Sequence, residues 1–270
     1  MAVLTQTVTT ETAINWEELA QKIKDDTSAL KVGDIITEKT LDGEGMDLVV
    51  VDMGPGWARF ESKDCLPVEV AYNQNNRNAG GFADSDVKRY LNEEVFNSLP
   101  EELRNVIAEV ERKQENGESS LCRLFLPTES ELFGDCCYSE DDTYNQIEYY
   151  KDRRNRIKCN RKGGSPDWYW TASVRGGYST FCVLVSSGGD SGHWGASGEL
   201  CVPVCFVIQQ IINPAAFVRR HKEEKPHARR TERNRSGLPG CLIPDAAGQT
   251  DRGNEPAGEI HRTAAPDPEN

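Results

Sequence analysis

The chain has 270 residues with a formal net charge of −13, and 37% of them are hydrophobic, which is ordinary for a soluble globular protein. No run of about 18 apolar residues and no signal-peptide pattern occurs, so we expect a cytoplasmic or phage-particle-associated protein and no membrane contact. Residues 1–212 carry 21 Lys and Arg against 35 Asp and Glu. Such an acidic surface disfavours nucleic acid as a partner of the folded domain and favours a protein or a neutral small molecule. We expect the partner to be an unknown protein or cell-surface ligand.

The first third of the chain predicts a helix and a β-hairpin. Trp16, Leu19, Ala20 and Ile23 recur at helical spacing, which predicts an amphipathic helix over residues 14–26. Residues 31–37 and 46–51 read as two strands on either side of the turn sequence LDGEG, so we expect them to pair.

Helices are expected in the middle of the chain. Apolar residues at helical spacing predict one helix that begins near Ser85 and another that begins at Pro100. The segment CRLFLPTESELFG predicts a short strand that leads into a third helix, where Thr128 and Glu131 have the spacing of a capping box. Residues 135–167 are polar and irregular.

The last apolar segments, WYWTAS, FCVLVSS and ELCVPVCFVI, predict three strands joined by Gly- and Ser-rich loops. Early helices and late strands favour an α+β domain with a C-terminal antiparallel sheet. We therefore divide the chain into an N-terminal helical segment (1–30), a folded domain (31–212) and a C-terminal tail (213–270). The tail is basic and Pro-rich without apolar periodicity, which predicts disorder.

Catalytic motifs are weak in this sequence. GDSG, residues 189–192, is typical of a serine-protease nucleophile, but the first histidine of the chain is His193, so no upstream general base exists. No nucleotide-binding or calcium-binding motif occurs. We expect no catalytic residue, no metal and no cofactor. Cys201 and Cys205 would lie on one face of a strand as buried thiols, and the basic cluster KDRRNRIK (151–158) would pair with local carboxylates.

Residues 173–198, which include the stretch SSGGDSGHWGASGE, have a composition typical of a binding loop. Thirteen of these 26 residues are Gly or Ser, and Arg175, Asp190 and His193 are the charged or titratable positions apart from Cys and Tyr. Gly and Ser adapt to a ligand, whereas aromatic residues supply contact area at low entropic cost. The predicted contact residues, with Trp194 as the anchor, are Tyr178, Leu184, Ser187, Asp190, His193 and Trp194.

An ordered series of segments carries a resemblance to a known family. DVKRYLNEEVFNSLPEELRNVI, LFLPTESELFG, EYYKDRRNRIKC, DWYWTAS, FCVLVSSGG and CVPVCF occur in this order. Together they resemble a domain family of unknown function found in gut Firmicutes and their prophages. The end of the series is similar to the C-type-lectin-like fold of formylglycine-generating-enzyme relatives and of the variable proteins of diversity-generating retroelements.

The resemblance implies a non-enzymatic protein whose variable C-terminal loops recognise a ligand. It leaves two alternatives open: a copper- and thiol-dependent oxidase using Cys201 and Cys205, and a phage structural or fibre-tip component that would form an oligomer. The sequence departs from the family at YWTAS and at Val202, where an arginine is expected. No EPN or QPD motif with a following WND occurs in the domain, so calcium-dependent sugar binding is not expected.

Overall fold

A computed structural model describes residues 14–39, 45–114, 119–140 and 143–209. Within these ranges the chain combines helices with several antiparallel sheets, which agrees with the predicted mixture of helix and antiparallel sheet. None of the helices in the described ranges is long and apolar enough to cross a bilayer. The predicted C-terminal tail, residues 213–270, lies outside the described residues.

Helices occupy the N-terminal and middle parts of the described chain. α1 spans Trp16–Lys24, and its first turn is capped by Asn15, whose Oδ1 accepts from the backbone N–H of Glu18 at 3.0 Å. The remaining helices are α2 (Asp86–Arg89, continued by a π-helical turn, Tyr90–Val95), α3 (Phe96–Ser98), α4 (Glu101–Val106) and α5 (Glu129–Phe133), with 3₁₀ turns at Glu148–Lys151 and Arg153–Arg156.

Strands are distributed along the whole described chain. They are β1 (Ile35–Lys39), β2 (Gly45–Gly54), β3 (Trp57–Ser62), β4 (Glu69–Ala71), β5 (Val110–Lys113), β6 (Ser119–Cys122), β7 (Lys158–Cys159), β8 (Pro166–Asp167), β9 (Tyr169–Val174), β10 (Phe181–Val185), β11 (Ser191–Gly195), β12 (Glu199–Cys201) and β13 (Cys205–Gln209). Early helices and late strands describe only part of this order: β1 and β2 are the predicted hairpin, β3 and β4 were not predicted, and β9 to β13 follow the last helix.

Two sheets contain most of these strands. The first has the order β1-β2-β3-β13, and the second has the order β11-β10-β9-β12-β4. The ladders are antiparallel except for the single contact between β12 and β9. β5 pairs with β6, and β7 pairs with β8, in separate two-stranded ladders. Because β13 pairs with β3, the last described strand forms one edge of the sheet that contains the first three strands.

The segment ELCVPVCFVI was expected to be one strand, and this is wrong. Its two halves are β12, in the second sheet, and β13, in the first sheet. Pro203 lies between them, and a proline cannot donate to a strand ladder. The chain therefore leaves one sheet and enters the other at this residue. Cys201 and Cys205 consequently do not share a strand face.

Several local predictions are confirmed. The predicted helix over 14–26 is α1, and the first two strands pair as a hairpin. Ser85 caps α2, and Thr128 and Glu131 form the capping box of α5 in both directions. The helix after Pro100 ends at Val106, and β5 begins four residues later at Val110.

One buried core joins α1 to the first sheet. The Trp16 ring packs edge-on against Phe60 and Phe206, with centroid distances of 6.0 and 6.5 Å, and the two phenylalanine rings stack at 5.3 Å. The N-terminal helix is thus packed against the domain that begins at residue 31 in the sequence-based division.

Two buried carboxylates anchor polar clusters within the fold. Glu131 accepts from Arg59 on β3 and Arg112 on β5, with closest N···O distances of 2.7 Å to each. Glu61 on β3 pairs with Lys158 at 2.8 Å. It also accepts from the hydroxyl of Tyr150 and from the thiol of Cys205. Each cluster connects elements that are distant in sequence.

Candidate functional site

The hairpin β10–β11, with β9 beside it, carries the predicted contact residues. SSGGDSGHWGASGE is therefore not one long loop: residues 186–190 form the turn, and Ser191–Gly195 form the edge strand β11. In the turn the backbone N–H of Ser186 donates to the carbonyl of Asp190 at 2.8 Å, and Gly189 has a φ of 80°, which favours glycine.

The connection between β9 and β10, residues 175–180, is fixed by a residue that sequence reasoning missed. The side-chain amide of Asn78 donates to the carbonyl of Tyr178 at 2.6 Å and to that of Phe181 at 2.8 Å. The backbone N–H of Asn78 donates to Ser179 at 3.0 Å. The hydrogen bonds of this buried asparagine satisfy loop carbonyls that would otherwise have to bond to water.

The six predicted contact residues do not all reach the surface. Tyr178 is 51% exposed and Trp194 is 43% exposed, and Ser187 is also exposed. Leu184 is only 1% exposed and belongs to the core, so its assignment as a contact residue is corrected. Its position in the apolar run FCVLV, in the central strand β10, explains this burial because both faces of that strand are covered.

Asp190 lies at the turn of the hairpin and is paired rather than free. Its Oδ2 accepts from Arg153 at 2.5 Å, and Arg153 also donates to the carbonyl of Gly188. The basic cluster 151–158 pairs with carboxylates as predicted: Lys151 with Glu148, Arg153 with Asp190, Arg154 with Asp152 and Lys158 with Glu61.

Five side chains form what we term the Arg175 cluster: Tyr138, Arg175, Tyr178, Phe181 and His193. The guanidinium carbon of Arg175 lies 3.9 Å from the Tyr178 ring centroid and 5.7 Å from those of Tyr138 and Phe181. Its Nη1 contacts Nε2 of His193. The His193 ring packs against Tyr138 at 4.7 Å and against Phe181 at 5.4 Å. A cation is thus held among aromatic rings at the edge of the second sheet.

Trp194 belongs to a different surface from His193. Adjacent residues of a strand point to opposite faces, and these two make separate contacts accordingly. The Trp194 ring packs edge-on against Trp168, at a centroid distance of 5.9 Å. The predicted contact residues therefore separate into the Arg175 cluster, the Trp194–Trp168 pair and the turn around Asp190.

A pocket that sequence reasoning missed lies beside Trp168. We term it the acidic pocket; its volume is about 200 Å³ and its lining residues are Glu69, Asp167, Trp168, Glu199, Leu200 and Cys201. Ligand atoms of Glu69, Asp167 and Cys201 lie within 4.8 Å of one another, which is close enough to hold a metal ion. These residues come from β4, β8 and β12, so only the folded chain brings them together.

The thiols of Cys201 and Cys205 have different partners. A hydrogen bond from the Cys65 thiol lowers the pKa of Cys201, whereas burial raises the pKa of Cys65. The Cys205 thiol donates to Glu61 at 3.1 Å, and burial raises its pKa well above the usual range. The two cysteines that the oxidase alternative would use therefore face separate environments on separate strands.

The serine of GDSG has a structural partner. Ser191 is buried, and its hydroxyl donates to the carboxylate of Glu129 at the start of α5. Glu129 also accepts from the backbone and the hydroxyl of Ser139, both at 2.7 Å. Since Tyr138 adjoins Ser139 and His193 lies two residues beyond Ser191, Glu129 helps to position both sides of the Arg175 cluster.

Comparison with known proteins gives one family match. The family model described as Domain of unknown function (DUF6273) matches residues 60–210. This range contains the whole second sheet, the Arg175 cluster and the acidic pocket. No curated protein and no solved structure matches the chain.

Proposed function

We propose that this chain, which belongs to the DUF6273 family of domains of unknown function, is a non-enzymatic protein that binds a macromolecular ligand. One observation carries the proposal: among the described residues, the two exposed aromatic side chains, Tyr178 and Trp194, both lie on the β9–β10–β11 unit, where a macromolecular ligand that covers this edge of the sheet would contact the Arg175 cluster and the Trp194–Trp168 pair together. Exposed tyrosine and tryptophan on a rigid scaffold are typical of binding surfaces, because they bury a large area at low entropic cost.

The residues around these two side chains hold them in one orientation, which favours specific recognition of a ligand. Tyr178 is held by Asn78 and by the stacked guanidinium of Arg175, and Trp194 is braced by Trp168. Pre-ordered side chains lose less conformational entropy when a ligand binds. Ser187, Asp190 and His193 are the remaining predicted contact residues that reach solvent at least in part.

Diversification by a retroelement and a C-type-lectin-like fold are the finer parts of this proposal. Variation is expected at exposed positions such as Tyr178, Ser187 and Trp194, whereas Val183 and Leu184 in the buried strand should be constant, because a change there alters core packing. Sequencing of the gene locus tests this idea. A nearby reverse transcriptase gene and a near-copy of the DNA for residues 171–208 that differs at adenines support it; absence of both contradicts it.

Alanine at Tyr178 or Trp194 is expected to remove binding without unfolding the protein. Each variant should lower ligand affinity by more than about tenfold, as is usual for an aromatic anchor. The free energy of unfolding should fall by less than about 1.5 kcal/mol, because each side chain makes one or two ring contacts at the surface. Affinity is measured for hits from arrays of defined bacterial surface glycans and peptides, and stability by urea denaturation.

Leu121→Ala is the matched control, because Leu121 is 55% exposed but lies on the separate hairpin β5–β6. It should change neither affinity nor stability. A large loss of stability in Tyr178→Ala and Trp194→Ala would show that these side chains belong to the core. Unchanged affinity in both variants would move the binding surface elsewhere and overturn the proposal.

A further inference from the structure

We propose that the Arg175 cluster binds a carboxylate group of a protein ligand. This inference rests on the proposed binding function and specifies its chemistry. The acidic pocket and the thiol pair Cys65–Cys201 consist of carboxylates and thiols without a second observation that points to a ligand. Among the described residues, by contrast, Arg175 has hydrogen-bond donors that no partner uses.

The first step is the donor count of Arg175. A guanidinium has five N–H donors, and here one of its nitrogens, Nη1, contacts His193. In the part of the chain that the structure describes, no carboxylate pairs with Arg175. Glu140 lies against the same loop at Gly176 and has a partner of its own. By contrast, Arg59 and Arg112 share Glu131, and Arg153 binds Asp190.

The second step is that the guanidinium is already oriented. Three rings surround it, and the nearest, that of Tyr178, lies 3.9 Å from the guanidinium carbon. Ring contacts hold the planar group and shield it partly from water, while its N–H groups stay in the plane where a carboxylate binds bidentately. Ligand binding therefore need not order the Arg175 side chain, because folding has already fixed its orientation.

The third step is the local charge. Arg77 donates to the hydroxyl of Ser179 at 3.3 Å, so a second arginine lies at the same loop, also without a carboxylate among the described residues. The carboxylates of Glu140, at Gly176, and Glu129, beneath the cluster, offset part of this positive charge. The directed donors of Arg175, rather than the net charge of the loop, would therefore select an anion. A ligand that fits must carry negative charge beside an apolar group, because four members of the cluster are aromatic rings.

An acidic peptide satisfies these conditions better than an acidic sugar. The rings offer flat apolar contact, which suits side chains that flank an Asp or Glu, whereas a sugar also needs several hydrogen-bond partners for its hydroxyls. The Gly- and Ser-rich composition around the cluster, with tyrosine among its rings, is likewise typical of surfaces that bind proteins.

The test compares two isosteric probes, the peptides Ac-Phe-Asp-Phe-NH₂ and Ac-Phe-Asn-Phe-NH₂, titrated into the full ¹⁵N-labelled chain. The Nε–Hε resonance of Arg175 is expected to shift with the Asp peptide. The Asn peptide should bind at least about tenfold more weakly, because it lacks the charge-assisted hydrogen bonds. Arg175→Gln should lose the preference for Asp. Arg175→Lys should lose most of it, because an ammonium lacks the planar fork.

Arg123→Gln is the control, since Arg123 is exposed over one ring, that of Phe96, at 5.1 Å. It should leave the titration unchanged. Equal binding of both peptides, no binding of either, or an unchanged preference in Arg175→Gln overturns the carboxylate inference. Binding of N-acetylneuraminate alone would assign the site to a sugar acid and also overturn it. None of these results depends on Trp194, so the binding function tested by Trp194→Ala stands or fails separately.

Discussion

Glu131→Gln is expected to lower the free energy of unfolding by about 3–5 kcal/mol, because it leaves two buried arginines without a counter-charge. Glu131 accepts from Arg59 at 2.7 and 3.4 Å and from Arg112 at 2.7 and 3.0 Å. It also completes the α5 capping box by accepting from the backbone of Thr128 at 2.9 Å. Glutamine keeps the shape of the side chain but not its charge, so urea denaturation measures the ionic contribution.

The pH dependence of stability gives a second view of the same cluster. Burial raises the pKa of Glu131, but the charges of Arg112 and Arg59 outweigh burial and hold that pKa far below its usual value of 4.5. A carboxyl group with a lowered pKa stabilises the folded state fully above its unfolded pKa. This stabilisation should therefore be lost as the pH falls below about 4.5, and Glu131→Gln should show a flatter acid limb.

Two variants make this prediction falsifiable. Glu18→Gln breaks an exposed pair with Lys22 in α1 and should leave stability unchanged. The triple variant Arg59→Met, Arg112→Met, Glu131→Leu should recover most of the loss, because it removes the buried charges together. A cost below about 1 kcal/mol for Glu131→Gln would mean that water reaches the arginines and that the cluster is not desolvated.

Local patterns in the sequence identify the ends of helices in this protein but not its ionic clusters. The capping box Thr128–Glu131 follows from residue types three positions apart, so it can be read directly from the chain. Arg59, Arg112 and Glu131 come together only after β3, β5 and α5 have packed. No local spacing encodes that contact, and the same carboxylate serves both as a predictable cap and as an unpredictable ion-pair centre.

The candidate contact residues were predicted from composition, and this explains why some of them are exposed and one is buried. Tyr178 and Trp194 are exposed as expected, whereas Leu184 is buried. Gly and Ser content predicted a long loop, but pairing of residues 191–195 with β10 makes a strand of part of it. Strand formation depends on a partner strand more than on intrinsic propensity. Leu184 lies in the apolar run FCVLV, which indicates a buried strand. The high Gly and Ser content of the whole range 173–198 drew attention away from this local pattern.

The Arg175 cluster could not be predicted from the sequence, because its members come together only in the folded chain. Arg175 and His193 are 18 positions apart, and Tyr138 comes from a segment that the sequence describes only as polar and irregular. The available signal was an arginine among Gly, Tyr and Ser in an otherwise acidic domain. That signal marks Arg175 as unusual, but the ring contacts that orient its guanidinium become evident only in the folded chain.

Lys158→Met is expected to cost about 3–5 kcal/mol at neutral pH, because it leaves the buried carboxylate of Glu61 without its closest cation. Lys158 Nζ lies 2.8 Å from Glu61 Oε1 and also donates to the carbonyl of Ser62 at 2.5 Å. Both members of the pair are almost fully buried. Lys162→Met is the matched control, because Lys162 pairs with Asp47 at the same distance but its side chain is 47% exposed. The cost of this change should stay below about 1 kcal/mol.

The deficit of Lys158→Met should shrink as the pH falls. Burial raises the pKa of Glu61, but the charges of Lys158 and Arg59 outweigh burial and lower it below 4.5. Removal of Lys158 lets that pKa rise, so Glu61 takes up a proton in the variant at a pH where the wild-type carboxylate is still ionised. Below that pH the variant no longer buries an uncompensated charge, and its stability approaches that of the wild type.

A double-mutant cycle separates the ion pair from its surroundings. Lys158→Met combined with Glu61→Met should be more stable than Lys158→Met alone, since both buried charges are gone. A double variant less stable than either single variant would instead show that Tyr150 and Cys205, which donate to Glu61, depend on the carboxylate for their own positions. A deficit of Lys158→Met that is constant from neutral to acid pH would contradict the assignment of its cost to ionised Glu61, because only a titrating group makes stability depend on pH.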